Sequence, residues 1–135
     1  MTSTVIYLGN LRAKSTHLKS GDSFLTDAPV DNNGKGEAFS PTDTVATGLA
    51  SCMLTVMGIK AGQMQVNMEN TKAEITKTMA SDPRRISKIE VRLQFPEAYD
   101  EKTRKILEHT ARTCPVSQSL HPAIEQMIEF HYPHV

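Results

Sequence analysis

Residues 44–59 read TVATGLASCMLTVMGI, a run without one charged side chain. The residues before it, Ser40-Pro41-Thr42-Asp43, carry a helix start: Ser40 can cap, Pro41 suits the first helical position, and Asp43 falls at the acid-favoured third. Together they predict a helix buried on nearly all sides. One face carries Val45, Leu49, Met53 and Val56. The other is made of small residues, Thr44, Thr47, Gly48, Ser51, Cys52 and Thr55. Small faces let two backbones approach closely, so a second helix, including one from a second subunit, can lie against it.

Working outward, residues 4–27 read as strands. TVIYL is rich in β-formers, Gly9-Asn10 is a turn signal, LRAKSTHL alternates, Ser20-Gly21-Asp22 is another turn, and SFLTD returns. A loop follows through APVDNNGKGEAF. Beyond the helix, ENTKAEITKTMA alternates, Asp82-Pro83 breaks the pattern, and ISKIEVRLQF alternates in period two until Pro96. Asp100 is placed to cap a second helix through Arg112, on which Leu107, Ala111 and Cys114 share one stripe. Pro115 to Leu120 reads as a short helix, Pro122 to Gln126 as a turn, and MIEFHY as a last strand. Strands, buried helix, strands, helix and strand make an α+β class. At 135 residues the expectation is one domain over 1–135 with a modest core.

Composition removes several function classes. Fifteen basic and fifteen acidic residues cancel, with no basic cluster longer than Arg84-Arg85, so nucleic-acid binding through phosphate neutralisation is not expected. MTSTVIYLGN lacks a basic stretch followed by an apolar core, the pattern of a signal peptide. The uncharged run falls short of the roughly 20 residues that span a bilayer, so no membrane partner is expected. A cytoplasmic location follows, where a disulfide would be transient and functional. Seven Met residues supply adaptable packing around a pocket or subunit contact. His17, His109, His121, His131 and His134 show no ligand spacing, and two cysteines do not complete a tetrahedral zinc set, so neither metal nor cofactor is expected. GKGEAF has no phosphate-loop spacing.

The two cysteines stand in pointed contexts: Cys52 inside the uncharged run, Cys114 directly before Pro115. An isolated core cysteine is ordinarily a small buried hydrophobe. Two brought together are a redox pair. Thiolates attack peroxides, and a free thiol near pKa ~8.5 is only a few per cent ionised at neutral pH, so a cation or oriented N–H groups must lower it. Cys52 lies deep in its helix and needs an arginine from elsewhere. Arg12 is the nearest candidate in a strand-and-turn context, with Arg84, Arg85, Arg92, Arg104 and Arg112 as competitors. Asp43, nine residues before Cys52, is too far along the helix to touch the sulfur but could fix an arginine that does. Cys114 has the N–H groups of the helix opened by Pro115.

FSPTDTVATGLASCM, followed by CPVSQSL around Cys114, resembles the OsmC/Ohr family of osmotically inducible and organic hydroperoxide resistance proteins, in a less characterised branch. The resemblance covers nearly the whole chain. It implies an intertwined homodimer in which antiparallel sheets wrap around buried central Cys helices. It also implies thiol-dependent reduction of organic hydroperoxides, as in oxidative stress defence. Cys52 would become a sulfenic acid, Cys114 would condense with it to a disulfide, and an external dithiol, often a lipoylated protein in this family, would reduce the pair. Well-studied members carry a glutamate ten residues before the first Cys. Thr42 stands there, and the acid is Asp43, about 100° further around the helix. That offset, and an Arg12 without a local motif, keep a second reading open: a non-catalytic module that binds a small hydrophobic ligand or senses redox state at the dimer interface.

Overall fold

The computed structural model describes residues 1–134. Two compact units divide at the start of the long helix, one from Met1 to Val45 and the other from Ala46 onward.

In the first unit, β1 (Ser3–Gly9), β2 (Arg12–His17) and β3 (Ser23–Asp27) form an antiparallel sheet in that order. The expected turns are where the chain reverses. Gly9, Asn10 and Leu11 all take positive φ, and the β1–β2 register slips between Tyr7 and Gly9 to admit them. After a single 3-10 turn at Val30–Asn32, Gly34 passes hard against the Ala28 carbonyl. A Cβ there would lie 1.7 Å from the Ala28 oxygen, so only glycine fits.

The uncharged run lies within α1 (Pro41–Met64). Its start is a reciprocal capping box: the Asp43 N–H donates to Ser40 Oγ at 3.0 Å, and Asp43 Oδ2 accepts from the Ser40 N–H at 2.9 Å. Burial differs from the expectation. Only one stripe is fully buried, Ala46, Leu49, Ala50, Met53, Met57 and Ala61. Val45, Thr47, Ser51 and Thr55 are exposed, so the helix is buried along one side rather than on nearly all sides. At 24 residues the helix is long and apolar enough to cross a bilayer by length and composition. Its buried stripe nevertheless belongs to the same core cluster as residues of the second sheet, which is what a core helix does.

In the second unit, β4 (Lys72–Ala80), β5 (Arg85–Gln94) and β6 (Glu125–His131) form a sheet in that order. β4 and β5 are antiparallel, as an alternating strand pair with a tight turn requires. β5 and β6 are parallel, so this sheet is mixed rather than antiparallel. The helices α2 (Glu101–Arg112) and α3 (Pro115–Ser119) intervene between them and form a crossover, which returns the chain in the same direction. Period-two burial on β5 sends Ile89, Val91 and Leu93 into the core, where they join the α1 stripe, Leu107, Ala111 and Cys114.

Candidate thiol site

The second unit brings the two cysteines together. Leu107 and Ala111 on α2 are fully buried, and the same stripe carries Cys114 into the core with them. Thr113 caps the end of α2, and Cys114 turns extended before Pro115 opens α3. Cys52 sits on α1 one residue before the buried Met53 and is half-buried. It packs against the core cluster that contains Cys114, near enough for the two thiols to influence each other's ionisation, and both are free. The pair is therefore asymmetric, Cys52 half-buried and Cys114 fully buried.

Burial pushes the Cys114 thiol above its ordinary value, and the neighbouring Cys52 pushes in the same direction. Opposing them, the Ser117 N–H donates to Cys114 Sγ at 3.4 Å. This is the N–H contribution expected from the helix that Pro115 opens, and burial outweighs it. Ser117 is itself held from β6. Its hydroxyl donates to Gln126 Oε1 at 2.6 Å, and Gln126 Nε2 donates back to the Ser117 carbonyl at 3.3 Å.

Arg12 and Asp43 both lie in the first unit. Arg12 on β2 faces Asp27 on β3, and the two side chains join at two points: Nε to Oδ1 at 2.7 Å and Nη2 to Oδ2 at 2.8 Å. Glu37 Oε2 approaches Arg12 Nη2 at 3.6 Å. Asp27 is 3% exposed and Arg12 31%, so the carboxylate is enclosed and the guanidinium keeps an open side. The hydrogen bonds from Arg12 hold Asp27 below the usual carboxylate range, and Asp27 in turn raises Arg12, which stays charged. Asp43 serves the capping box described above. The acid on Arg12 in this geometry is thus Asp27, which the sequence reading did not single out. The hairpin turn at Ser20-Gly21-Asp22 could have found it. Pairing outward from Thr16↔Ser23 sets Arg12 directly opposite Asp27.

The competing arginines have other work. Arg104 Nε donates to the Ala98 carbonyl and its guanidinium lies 4.2 Å from the Tyr132 ring centre, and Arg112 lies 4.9 Å from that of Phe130. Arg92 pairs with Glu129, and Arg85 donates to the Ser81 and Pro83 carbonyls. Arg84 also interacts within the fold. Among the described residues no three His, Cys, Asp or Glu side chains converge as metal ligands would.

Residues 34–129 match the family described as OsmC-like protein. A structure from Psychrobacter arcticus 273-4, named for an osmotic stress induced and detoxification response, is 54% identical. The match covers 97% of this chain and 96% of that one, with a TM-score of 0.94. An organic hydroperoxide resistance protein OsmC of Legionella pneumophila superposes with a TM-score of 0.76 at 14% identity, covering 97% of each chain. One from Elizabethkingia anophelis, with thiocyanate bound, gives 0.77 at 14%, covering 98% of this chain and 97% of that one. These two likenesses concern the fold. No curated protein matches the chain.

Proposed function

Given that the chain belongs to the OsmC-like family, we propose that it reduces organic hydroperoxides with Cys52 and Cys114. The observation that carries this reading is the asymmetric thiol pair, a half-buried Cys52 against a fully buried Cys114. In this reading the peroxide meets Cys52 first. The Cys52 thiolate attacks the distal oxygen, the O–O bond breaks, and the alkoxide leaves as alcohol after taking a proton. Cys52 is then a sulfenic acid. Cys114 attacks its sulfur, water leaves, and a disulfide remains, which an external dithiol such as a lipoylated protein returns to two thiols.

Arg12 is the cation we assign to the Cys52 thiolate, with Asp27 as the acid that holds it; Asp43, read from the sequence as that acid, caps the helix that carries Cys52 instead. The working form is an intertwined homodimer of a single-domain chain, located in the cytoplasm. The uncovered small-residue face of α1 supports it, since a Cβ built on Gly48, Gly58 or Gly62 meets nothing within 4 Å. In that assembly the Cys helices become the buried centre around which the sheets wrap.

Turnover of cumene hydroperoxide and of hydrogen peroxide with a dithiol, in wild type and Cys52→Ser, tests the reading. The expected result is fast turnover favouring the organic peroxide and lost in the variant. Equal rates in both proteins would refute it. A second reading, a module binding a small hydrophobic ligand, has a groove of about 380 Å³ to work with, walled by Leu54, Ala61, Val66 and Met68 together with the polar Asn67, Glu69, Asn70 and Thr71. It predicts a ligand that co-purifies and is visible in native mass spectrometry.

A further inference from the structure

Ser117 and Gln126 form a closed link between the turn that carries Cys114 and strand β6. The Ser117 hydroxyl and carbonyl both engage the Gln126 amide, while the Ser117 N–H points at Cys114 Sγ. The hydroxyl also lies 3.3 Å from the Arg112 carbonyl, but it has one proton, and the 2.6 Å approach to Gln126 is the better bond. Gln126 is anchored by the ladder, paired with Ile89 of the buried strand β5. No residue of α3 is fully buried; Val116 packs against the core cluster from one side, and the Gln126 amide adds a polar tie to β6.

We infer that Gln126 is a positioning residue for disulfide formation: through Ser117 it holds the Cys114 sulfur where it can bond to Cys52. The inference rests on the reading of the two cysteines as a redox pair. A disulfide needs its sulfurs at about 2.05 Å and a Cβ–S–S–Cβ dihedral near a right angle, so a few tenths of an ångström of drift in the turn matter. Fixing one sulfur beforehand raises the effective concentration of each thiol at the other, which favours the oxidised pair. A purely structural Gln126 would support the reduced and oxidised forms alike and leave their balance untouched.

The test is equilibrium of the purified protein with oxidised dithiothreitol. Two protein thiols become a disulfide while the cyclic reagent takes up two electrons and two protons, and alkylation followed by mass spectrometry counts the thiols that remain. In Gln126→Leu the equilibrium constant for oxidation should fall about tenfold, the size expected for two lost hydrogen bonds, raising the potential by about 30 mV. Ser117→Ala, which keeps the backbone N–H and the fold, should give a smaller fall. The double variant should match Gln126→Leu, because both act through one link. An unchanged constant in Gln126→Leu, additive effects in the double variant, or no Cys52–Cys114 disulfide in wild type would each overturn the inference. None of these readings uses a peroxide, so a protein without peroxidase activity still gives an answer.

Discussion

Cys114 shows how a single side chain couples the chemistry to the stability of the fold. Burial is the main cause that raises its thiol pKa, with the Cys52 thiol adding to it, and the Ser117 N–H only partly offsets this. A raised folded value means that the native state holds the proton more tightly than the unfolded chain does. The stability this gives is complete below the unfolded thiol value of ~8.5 and is lost as pH rises through the higher folded value. Reduced wild type should therefore lose stability from about pH 8.5 upward faster than reduced Cys114→Ala. Urea midpoints of both proteins between pH 7 and 10 check this, and parallel curves would refute it. Arg12 and Asp27 illustrate the opposite case, a charge pair whose members each favour the other's ionised form. The strand residue Arg12 was visible in the sequence as a candidate cation, yet its partner was not. A carboxylate fifteen positions away becomes a neighbour only once the hairpin register is fixed.

The elements themselves were largely legible because each carries its own start or stop signal. Ser40 with Asp43, Asp100 with Thr103, and Cys114 with Pro115 are local devices whose partners lie three residues away or fewer, so no tertiary information is needed. Period-two alternation marked β4 and β5 for the same reason. What could not be read locally was the direction of β6, which depends on where α2 and α3 leave the chain, and the half-buried state of α1, which depends on what covers it. The capping box at α1 should have a measurable value. Ser40 is buried and its hydroxyl accepts the Asp43 N–H, so Ser40→Ala removes that cap. A loss of about 1 kcal/mol is expected, read as a lower urea midpoint with an unchanged slope. Restoration by Ser40→Thr, which keeps the capping hydroxyl, would tie the loss to the cap rather than to packing.

At the scale of the whole molecule, the strongest physical signal is apolar surface left in water. Val5, Ile6, Tyr7 and Leu8 are consecutive on β1, so they point to both faces of the sheet, and each is more than half exposed. A strand apolar on both faces is built to be covered on both, and a contiguous exposed patch of this kind marks an association surface. The uncovered small face of α1 asks for the same thing by a different route, since glycines and threonines there bring no bulk that would keep another backbone away. A second copy of the chain would satisfy both demands, which is why the homodimer is part of the proposed function. Sedimentation at micromolar concentration should give twice the 14.9 kDa chain mass. Replacing Ile6, which is not a member of the core cluster, with Lys places a charge in the patch, and it should shift the species toward monomer. Peroxidase turnover should fall with the dimer fraction if the site needs both copies. A wild type that sediments as a monomer while turning over peroxide would separate the chemistry from the assembly, and the exposed face of β1 would then need another partner.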